Sequence, residues 1–405
     1  MSNHRKWQLI YLLTDIVSAL LVWLCFLLFR WLVYDGRIFS VETVLIPAFS
    51  FYRPLFIYPA ACLVVYYLSG FYLRPLNKHW SRLTLTTFRS AVAISLGAFF
   101  VIIIDDQVES YQRYLGSLLA LFVLQFGWSY LMRLLVFFFS RRRQKPEDAI
   151  LIDLPEDAGE QELFSRIREA FPTGKEIVVK PRVKDILTGA ARIRDLQGEA
   201  LIRITDPSMS DAAICIKRAF DVVVSAVLLV LLSPLYAVLA LLVKAGSPGP
   251  VLYKQERIGL HGLPFQILKF RTMYVDAEQE GTPRLAGDDD QRITKTGRVL
   301  RRYRLDELPQ LWNVLAGQMS IVGPRPERPY FIRLIEERAP YYCLLYKIRP
   351  GLTSWGPIKV GYTDTLDKMI QRLQYDIAYM ENMSLLLDIK IMFYTLGVLL
   401  NGKGK

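Results

Sequence analysis

Over its first third the chain alternates long apolar blocks with short charged segments. Segments 55–72, 7–33 and 114–139 are long and apolar enough to cross a bilayer, and 91–104 reaches that length with its flanks. Cations gather at Arg5 and Lys6, at Arg74, Lys78, Arg82 and Arg89, and at Arg141, Arg142, Arg143 and Lys145. The loops between hold Asp35, Glu42, Asp105, Asp106 and Glu109 with few cations. Because positive loops stay on the cytoplasmic side, the pattern predicts an N-terminal four-helix transmembrane bundle over 1–143 with both ends inside.

From 144 to 213 the pattern becomes that of a soluble protein. β-like runs at 149–152, 177–179 and 200–204 are separated by helix-like polar stretches, which predicts a small cytoplasmic α/β module. It has no G-x-G-x-x-G fingerprint, so a spacer or a dimerisation element, making a homodimer, is expected there rather than a nucleotide site. A further apolar stretch, 219–243, has Lys217 and Arg218 before it, Lys244 after it, and Ser233-Pro234 at its centre. Proline removes one helical hydrogen bond and clashes with the carbonyl four residues back, so the helix must bend there, and the Ser233 hydroxyl can serve a freed backbone group. Two arrangements are open: a kinked fifth crossing, which strands the positive flank at Lys244 on the outer side, and a re-entrant hairpin that returns to the cytoplasm. The second is the expectation carried forward.

Composition narrows the class. More than half of the 405 residues are apolar, too many for an ordinary soluble protein of this length. The net charge of +12 comes largely from cations at the ends of apolar blocks, a distribution that suits anionic lipid and phosphate and argues against nucleic acid. Cys25, Cys62, Cys215 and Cys343 have neither metal-site nor disulfide-framework spacing and read as reduced thiols.

Candidate chemistry begins after Gly246, in a region expected to fold as a mainly α catalytic domain over 214–405. Short strands at 251–253 and 265–268 are flanked by Lys254, Arg257, Lys269 and Arg271, which could converge on one polyanion or stand as separate surface charges. Arg292, Lys295, Arg298, Arg301, Arg302 and Arg304 then follow without an intervening acid. Arginine suits phosphate because its planar fork makes two hydrogen bonds and keeps its proton; a solvated basic face is the competing reading. Asp306 and Glu307 come directly after, ahead of Pro309. As first-turn acids they would merely stabilise a helix dipole. Beside a phosphate-binding run, however, two carboxylates would repel the substrate unless they react with it: one can attack phosphorus to give an acyl phosphate while the other holds a metal or handles a proton. Mg²⁺, which prefers carboxylate plus phosphate oxygens, is the cofactor that chemistry calls for. Farther on, prolines frame Arg325 in Gly323-Pro324-Arg325-Pro326 and Arg349 in Arg349-Pro350-Gly351, a pre-ordered way to present a guanidinium. The C-terminal stretch from Tyr375 and Asp376 onward is amphipathic, then apolar, and is expected to lie along the membrane interface.

At KRAFD, SPGPVLYKQERIG, LKFRTM, LDELPQLWNVL, MSIVGPRP and RPGLTSW the sequence resembles the bacterial sugar transferase family, the monotopic phosphoglycosyl transferases, from Lys217 to about Leu400. The resemblance implies transfer of a sugar 1-phosphate from a UDP-sugar to undecaprenyl phosphate at the cytoplasmic face of a bacterial inner membrane. It implies Asp306 as the nucleophile, Glu307 in metal binding or proton handling, and Ser233-Pro234 as the re-entrant break. Lys269, Arg271, Arg301, Arg325 and Arg349 match the family's basic positions, and Tyr375 and Asp376 its C-terminal acidic motif. After Gly351 the chain reads Leu352-Thr353-Ser354-Trp355-Gly356-Pro357 where many relatives have a Gly-Trp-Ala-Gln-like run. Spacing alone also permits a non-catalytic membrane scaffold whose basic region binds anionic lipid.

Overall fold

The computed structural model describes residues 3–33, 52–73, 80–105, 111–143, 149–155, 158–180, 202–205, 208–275, 277, 290–361 and 365–400. The chain forms two compact units, Met1–Lys145 with Ser210–Ile216, and Pro146–Met209 with Lys217–Lys405.

The first unit is helical: α1 (Asn3–Val33), α2 (Tyr52–Leu68), α3 (Trp80–Asp105) and α4 (Tyr111–Arg143). Three of these contain stretches long and apolar enough to cross a membrane, Lys6–Arg30, Trp80–Phe100 and Leu115–Ser140, whereas the apolar part of α2, Leu55–Leu68, is shorter. The segment expected to cross at 55–72 therefore ends early, and the sequence shows why. Gly70 takes the left-handed conformation (φ 71°), its N–H donates to Tyr67 O, and the Phe71 N–H reaches back to Tyr66 O, a glycine-terminated helix end. The loops carrying Asp35, Glu42, Asp106 and Glu109, and the cations Arg74, Lys78 and Lys145, lie outside the described residues.

Leu, Phe and Val side chains face outward from these helices, and the interior holds a polar cluster. Arg133, with no exposed surface, donates from Nε to Asp15 Oδ1 (3.1 Å), from Nη2 to Asp15 Oδ2 (2.9 Å) and from Nη1 to Thr87 Oγ1 (3.2 Å). The Tyr72 hydroxyl donates to Asp15 Oδ2 (2.7 Å), and the guanidinium carbon lies 3.9 Å and 3.8 Å from the ring centres of Tyr66 and Phe71. In an apolar surrounding such charges persist only when every polar atom has a neighbour of this kind, so the cluster fixes the register of α1 against α4.

The second unit contains β1 (Ala149–Ile152), α5 (Glu160–Ala170), β2 (Glu176–Val179) and β3 (Ile202–Arg203), a three-stranded sheet in which β1 and β2 run parallel and β3 antiparallel. Ile152, Ile167, Phe171 and Ile177 share one buried cluster with Phe331, Ile335, Tyr342 and Tyr346, so the α/β stretch is packed into the core of the C-terminal region. Helices α6 (Asp211–Leu231) and α7 (Ser233–Gly246) follow, bent by 64° at Leu232. The bend expected at Ser233-Pro234 is present, and its hydrogen bonding is explicit. Pro234 has no N–H for Val230 O four residues back, and the Ser233 hydroxyl donates to that carbonyl instead (2.8 Å). Val227, Val230, Leu231, Val238 and Leu241 are exposed along the pair, the surface a bilayer would cover.

Next come β4 (Leu252–Ile258) and β5 (Pro264–Phe270), an antiparallel hairpin, then α8 (Lys295–Arg302), a 3₁₀ turn (Leu305–Glu307), α9 (Gln310–Leu315) and β6 (Ser320–Val322). α10 (Pro329–Arg338), a 3₁₀ segment (Pro340–Lys347), β7 (Gly351–Thr353, parallel to β6), α11 (Trp355–Val360), α12 (Leu366–Glu381) and α13 (Leu385–Leu400) complete the unit. The base of α6 is bolted to this framework: Lys217 Nζ donates to Asp388 Oδ2 (2.6 Å) and Val322 O (2.9 Å), and Asp221 accepts from Ser320 Oγ (2.7 Å) and the Ile321 N–H (3.1 Å). α13, expected along the interface, buries Asp388 and exposes Leu386, Ile389, Phe393 and Leu396.

Asp15→Ala strands the Arg133 charge and is expected to cost about 3 kcal/mol, read as a lower melting temperature of the detergent-solubilised protein; Asp15→Leu with Arg133→Met restores most of it.

Candidate active site

Thr294 starts α8 by accepting the Gly297 N–H on Oγ1 (2.9 Å), and Gly297 is required there because a Cβ would lie 2.1 Å from Thr272 O. That close approach seats α8 against the end of β5. The helix stops at Tyr303, and Arg304 adopts the left-handed conformation (φ 52°), unusual for a side chain of its size. The reversal drops Asp306 and Glu307 into a 3₁₀ turn where both are buried, 7% and 8% exposed. α9 begins just beyond, behind Pro309. Asn313 secures it to the sheet: its Oδ1 accepts the Leu268 N–H (3.0 Å) and its Nδ2 donates to Gln266 O (2.7 Å), replacing a missing neighbouring strand.

The two carboxylates have opposite surroundings. Glu307 Oε1 accepts from Lys269 Nζ (3.0 Å) and Arg325 Nη2 (3.1 Å), and Arg304 Nη1 lies 3.8 Å from Oε2. Burial works against its charge, but the Lys269, Arg325 and Arg304 cations outweigh it and hold the carboxyl well below the usual glutamate range. Asp306 accepts no hydrogen bond from any described residue. Burial, and then the Glu307 charge beside it, raises its carboxyl above the aspartate range, with Lys269, Arg301 and Arg325 opposing. Lys269 itself is lowered by burial, against the pull of Glu307. The outcome is one carboxylate locked among cations and one left available.

A second tier holds Arg325 in place. Arg257 donates to Pro326 O (3.1 Å) and Glu327 Oε2 (3.2 Å), and Glu327 also accepts from the buried Arg372. Those cations pull Glu327 below its ordinary range although burial pushes the other way. Asp376 accepts from Ser354 Oγ and from the Gly356 N–H (3.1 Å), and burial raises its carboxyl. A crevice beside Arg325 is lined by Pro324, Pro326, Tyr342, Ile348 and Pro350.

The residues singled out in the sequence thus separate into groups. Lys269, Arg325 and Arg304 bond or approach Glu307, and Arg301 stands near Asp306 with its Nε on Thr272 Oγ1 (2.9 Å). Arg257 and Asp376 act on the Arg325 loop from behind. Strand alternation puts Lys254, opposite Leu268, on the other face of the hairpin from Lys269, opposite Tyr253. Arg271 is buried and donates to Pro248 O (2.6 Å) and Ser247 O (2.7 Å), holding the Ser-Pro-Gly-Pro turn, and Arg349 donates to Gly317 O (2.9 Å) past the end of α9. Glu327, Arg372 and Tyr236 have no local signal beyond their charge or ring, and Arg218 is marked in the sequence only as a flanking cation within KRAFD.

Among the described residues no group of three or more His, Cys, Asp or Glu could hold a metal. Mg²⁺ is served by fewer, because phosphate oxygens of a ligand fill its remaining positions. Lys269 and Arg325 share Glu307 Oε1 and Arg304 Nη1 lies 3.8 Å from Oε2, which leaves the Asp306 carboxylate as the member of the pair without a hydrogen-bonded cation.

The unequal surroundings give opposite stability effects. Ionised Asp306 is disfavoured by the fold, so its contribution declines as pH rises through its raised value; Asp306→Asn is expected to stabilise the protein by about 1 kcal/mol at pH 7. Glu307 contributes above the ordinary glutamate range and loses that contribution as pH falls; Glu307→Gln is expected to cost about 3 kcal/mol at pH 7. Thermal melts of the two variants at pH 7 check both signs.

Residues 212–402, which contain this whole arrangement, match the bacterial sugar transferase family. A UDP-N-acetylgalactosamine-undecaprenyl-phosphate N-acetylgalactosaminephosphotransferase of Aeromonas hydrophila is 38% identical over 259 residues, 64% of this chain and 60% of that protein. A UDP-glucose:undecaprenyl-phosphate glucose-1-phosphate transferase of Escherichia coli K12 is 41% identical over 207 residues, 51% of this chain and 44% of its own. A protein of the same description from Caulobacter vibrioides is 45% identical over 186 residues, 45% of this chain and 69% of its own. The chain thus spans about half the length of the first two relatives and over two thirds of the third, and the part that matches the family, residues 212–402, carries the acid pair, its cations and the bend between the helices. On that match the chain belongs to the bacterial sugar transferase family.

Proposed function

We propose that this protein is a phosphoglycosyl transferase that moves a sugar 1-phosphate from a UDP-sugar to undecaprenyl phosphate and releases UMP, a first membrane step of polysaccharide or glycoconjugate assembly. The observation that carries this reading is the unequal acid pair: a buried Asp306 with no hydrogen-bond donor of its own, beside a Glu307 fixed by Lys269 and Arg325. The relatives' descriptions, UDP-sugar donor and undecaprenyl-phosphate acceptor, support the substrates.

The chemistry follows from the placement of charge. An Asp306 oxygen attacks the β-phosphorus; the new O–P bond forms as the bond from that phosphorus to the bridging pyrophosphate oxygen breaks, and UMP departs with the electron pair. A phosphate oxygen of undecaprenyl phosphate then attacks the same phosphorus, the acyl-phosphate O–P bond breaks, and Asp306 is released as carboxylate with undecaprenyl diphosphate sugar as product. No net proton transfer is needed in either step. Arg325 and Lys269 lie where negative charge gathers on the pyrophosphate, and being anchored on Glu307 they need no reorganisation when it arrives. Asp306 and Glu307 are the residues that would hold Mg²⁺, which when bound would supply charge neutralisation on the phosphates. The bent pair α6–α7 acts as a re-entrant hairpin in the bacterial inner membrane, keeping the site on the cytoplasmic side where a soluble donor and a lipid head group both reach it.

Purified protein with Mg²⁺, undecaprenyl phosphate and a panel of UDP-sugars is expected to form UMP with at least one donor, and Asp306→Asn to lower that rate at least about a thousandfold. No UMP from any donor would overturn the reading. Because Asp306 acts ionised and its carboxyl is raised, the rate is expected to fall on acidification at a pH above the ordinary aspartate value of about 4. Arg301→Gln removes a cation that opposes the rise and moves this acid limb to higher pH in a pH–rate profile.

A further inference from the structure

The six-residue helix α9 is gripped at both ends by the two arms of the bent pair. From α6, Arg218 donates through Nη1 to Val314 O (2.7 Å), which also accepts the Gly317 N–H (3.0 Å), and through Nη2 to Leu315 O (3.0 Å), the carbonyl that the helix C-terminus leaves without a backbone donor. From α7, the Tyr236 hydroxyl donates to Leu308 O (2.6 Å), the residue directly after Glu307, and its ring tilts against Phe270 with centroids 5.7 Å apart. Tyr236 belongs to the apolar cluster in which Leu239 and Val243 of α7 meet Phe270, Leu300 and Leu305. One arm therefore holds the end of α9 and the other the chain that leads into it, with Asp306 two residues before Leu308.

The cations on Glu307 come from elements other than the two arms. Lys269 comes from β5, Arg304 from the reversal after α8, and Arg325 from the loop after β6. The acid pair is thus referenced twice: to the phosphate-facing cations through Glu307, and to the apolar arms through α9. A water-soluble donor needs only the first reference. A lipid acceptor also needs the second, because its phosphate is carried at a depth set by the bilayer against the exposed Val227, Val230 and Leu241 of the arms. Resting on the two-step reaction proposed above, we infer that Arg218 and Tyr236 are positioning residues for the lipid half of the reaction: they hold Asp306 at a fixed place relative to the bent pair and leave the nucleotide half to the cations.

The test separates the halves on the full-length protein. Radiolabelled UDP-glucose and UDP-N-acetylgalactosamine, supplied together with Mg²⁺ and no acceptor, report label retained on denatured protein; saturating undecaprenyl phosphate then reports its discharge. Tyr236→Phe, which removes one oxygen, and Arg218→Gln are expected to acquire label within about twofold of the wild-type rate and to discharge it roughly tenfold to a hundredfold more slowly, the loss typical of small misplacements. Discharge at the wild-type rate in both variants overturns the positioning role alone. Parallel slowing of both halves also overturns it, because that is the signature of general destabilisation. Absence of label on the wild-type protein removes the two-step reaction, and this inference with it.

Discussion

The site depends on the neutralisation of Glu307. Two adjacent buried carboxylates cannot both stay ionised without compensation, and the fold supplies it to one of them only. Lys269, Arg304 and Arg325 come from a strand, a left-handed reversal and a proline-framed loop. Arg257, Glu327, Arg372 and Asp376 lie behind Arg325, so the loop arrives already ordered. With Glu307 held by these cations, Asp306 accepts no hydrogen bond from any described residue, which suits the nucleophile proposed for it. Its elevated proton affinity is a stability cost of the kind that groups in active sites commonly carry.

The chain around this turn is also tied to the bent apolar helix pair. Pro234 removes one hydrogen bond from an otherwise continuous apolar helix, Ser233 covers the carbonyl it exposes, and the resulting 64° bend gives α6 and α7 separate directions. Lys217, Arg218 and Asp221 fasten one arm and Tyr236 the other, so the bend is tied to the framework around β6 and α9. On the reaction proposed above, phosphate recognition and access to the lipid acceptor would both bear on one short segment, Leu305 to Leu315.

The sequence disclosed residue types in unusual company more readily than it disclosed their contacts. An acid pair after an arginine run, and a Ser-Pro inside an apolar stretch, are local patterns that conflict with ordinary helix or surface chemistry, and the structure has a buried turn and a bend at those places. Where side chains end up is a tertiary matter. Lys254 and Lys269 look alike in sequence, but alternation along paired strands sends them to opposite faces. Arg271 and Arg349 match Arg325 as cations near turns, yet they spend their donors on backbone carbonyls. Hydropathy located the apolar blocks while missing that Gly70 ends α2 early, because a single left-handed residue barely alters a window average. The α/β stretch 144–213 gave no local sign that Phe171 and Ile177 share a core with Tyr342 and Tyr346.

Trapping the reacted carboxylate tests the account most directly. Protein incubated with a UDP-sugar donor and no acceptor, then treated with hydroxylamine, converts an acyl phosphate to a hydroxamate on the carboxyl that carried it, and peptide mass spectrometry locates the change. A hydroxamate on Asp306 and none on Glu307 is the predicted result. Its appearance on Glu307, or on neither acid in protein that turns over, would contradict the division of labour on which this description of the site rests.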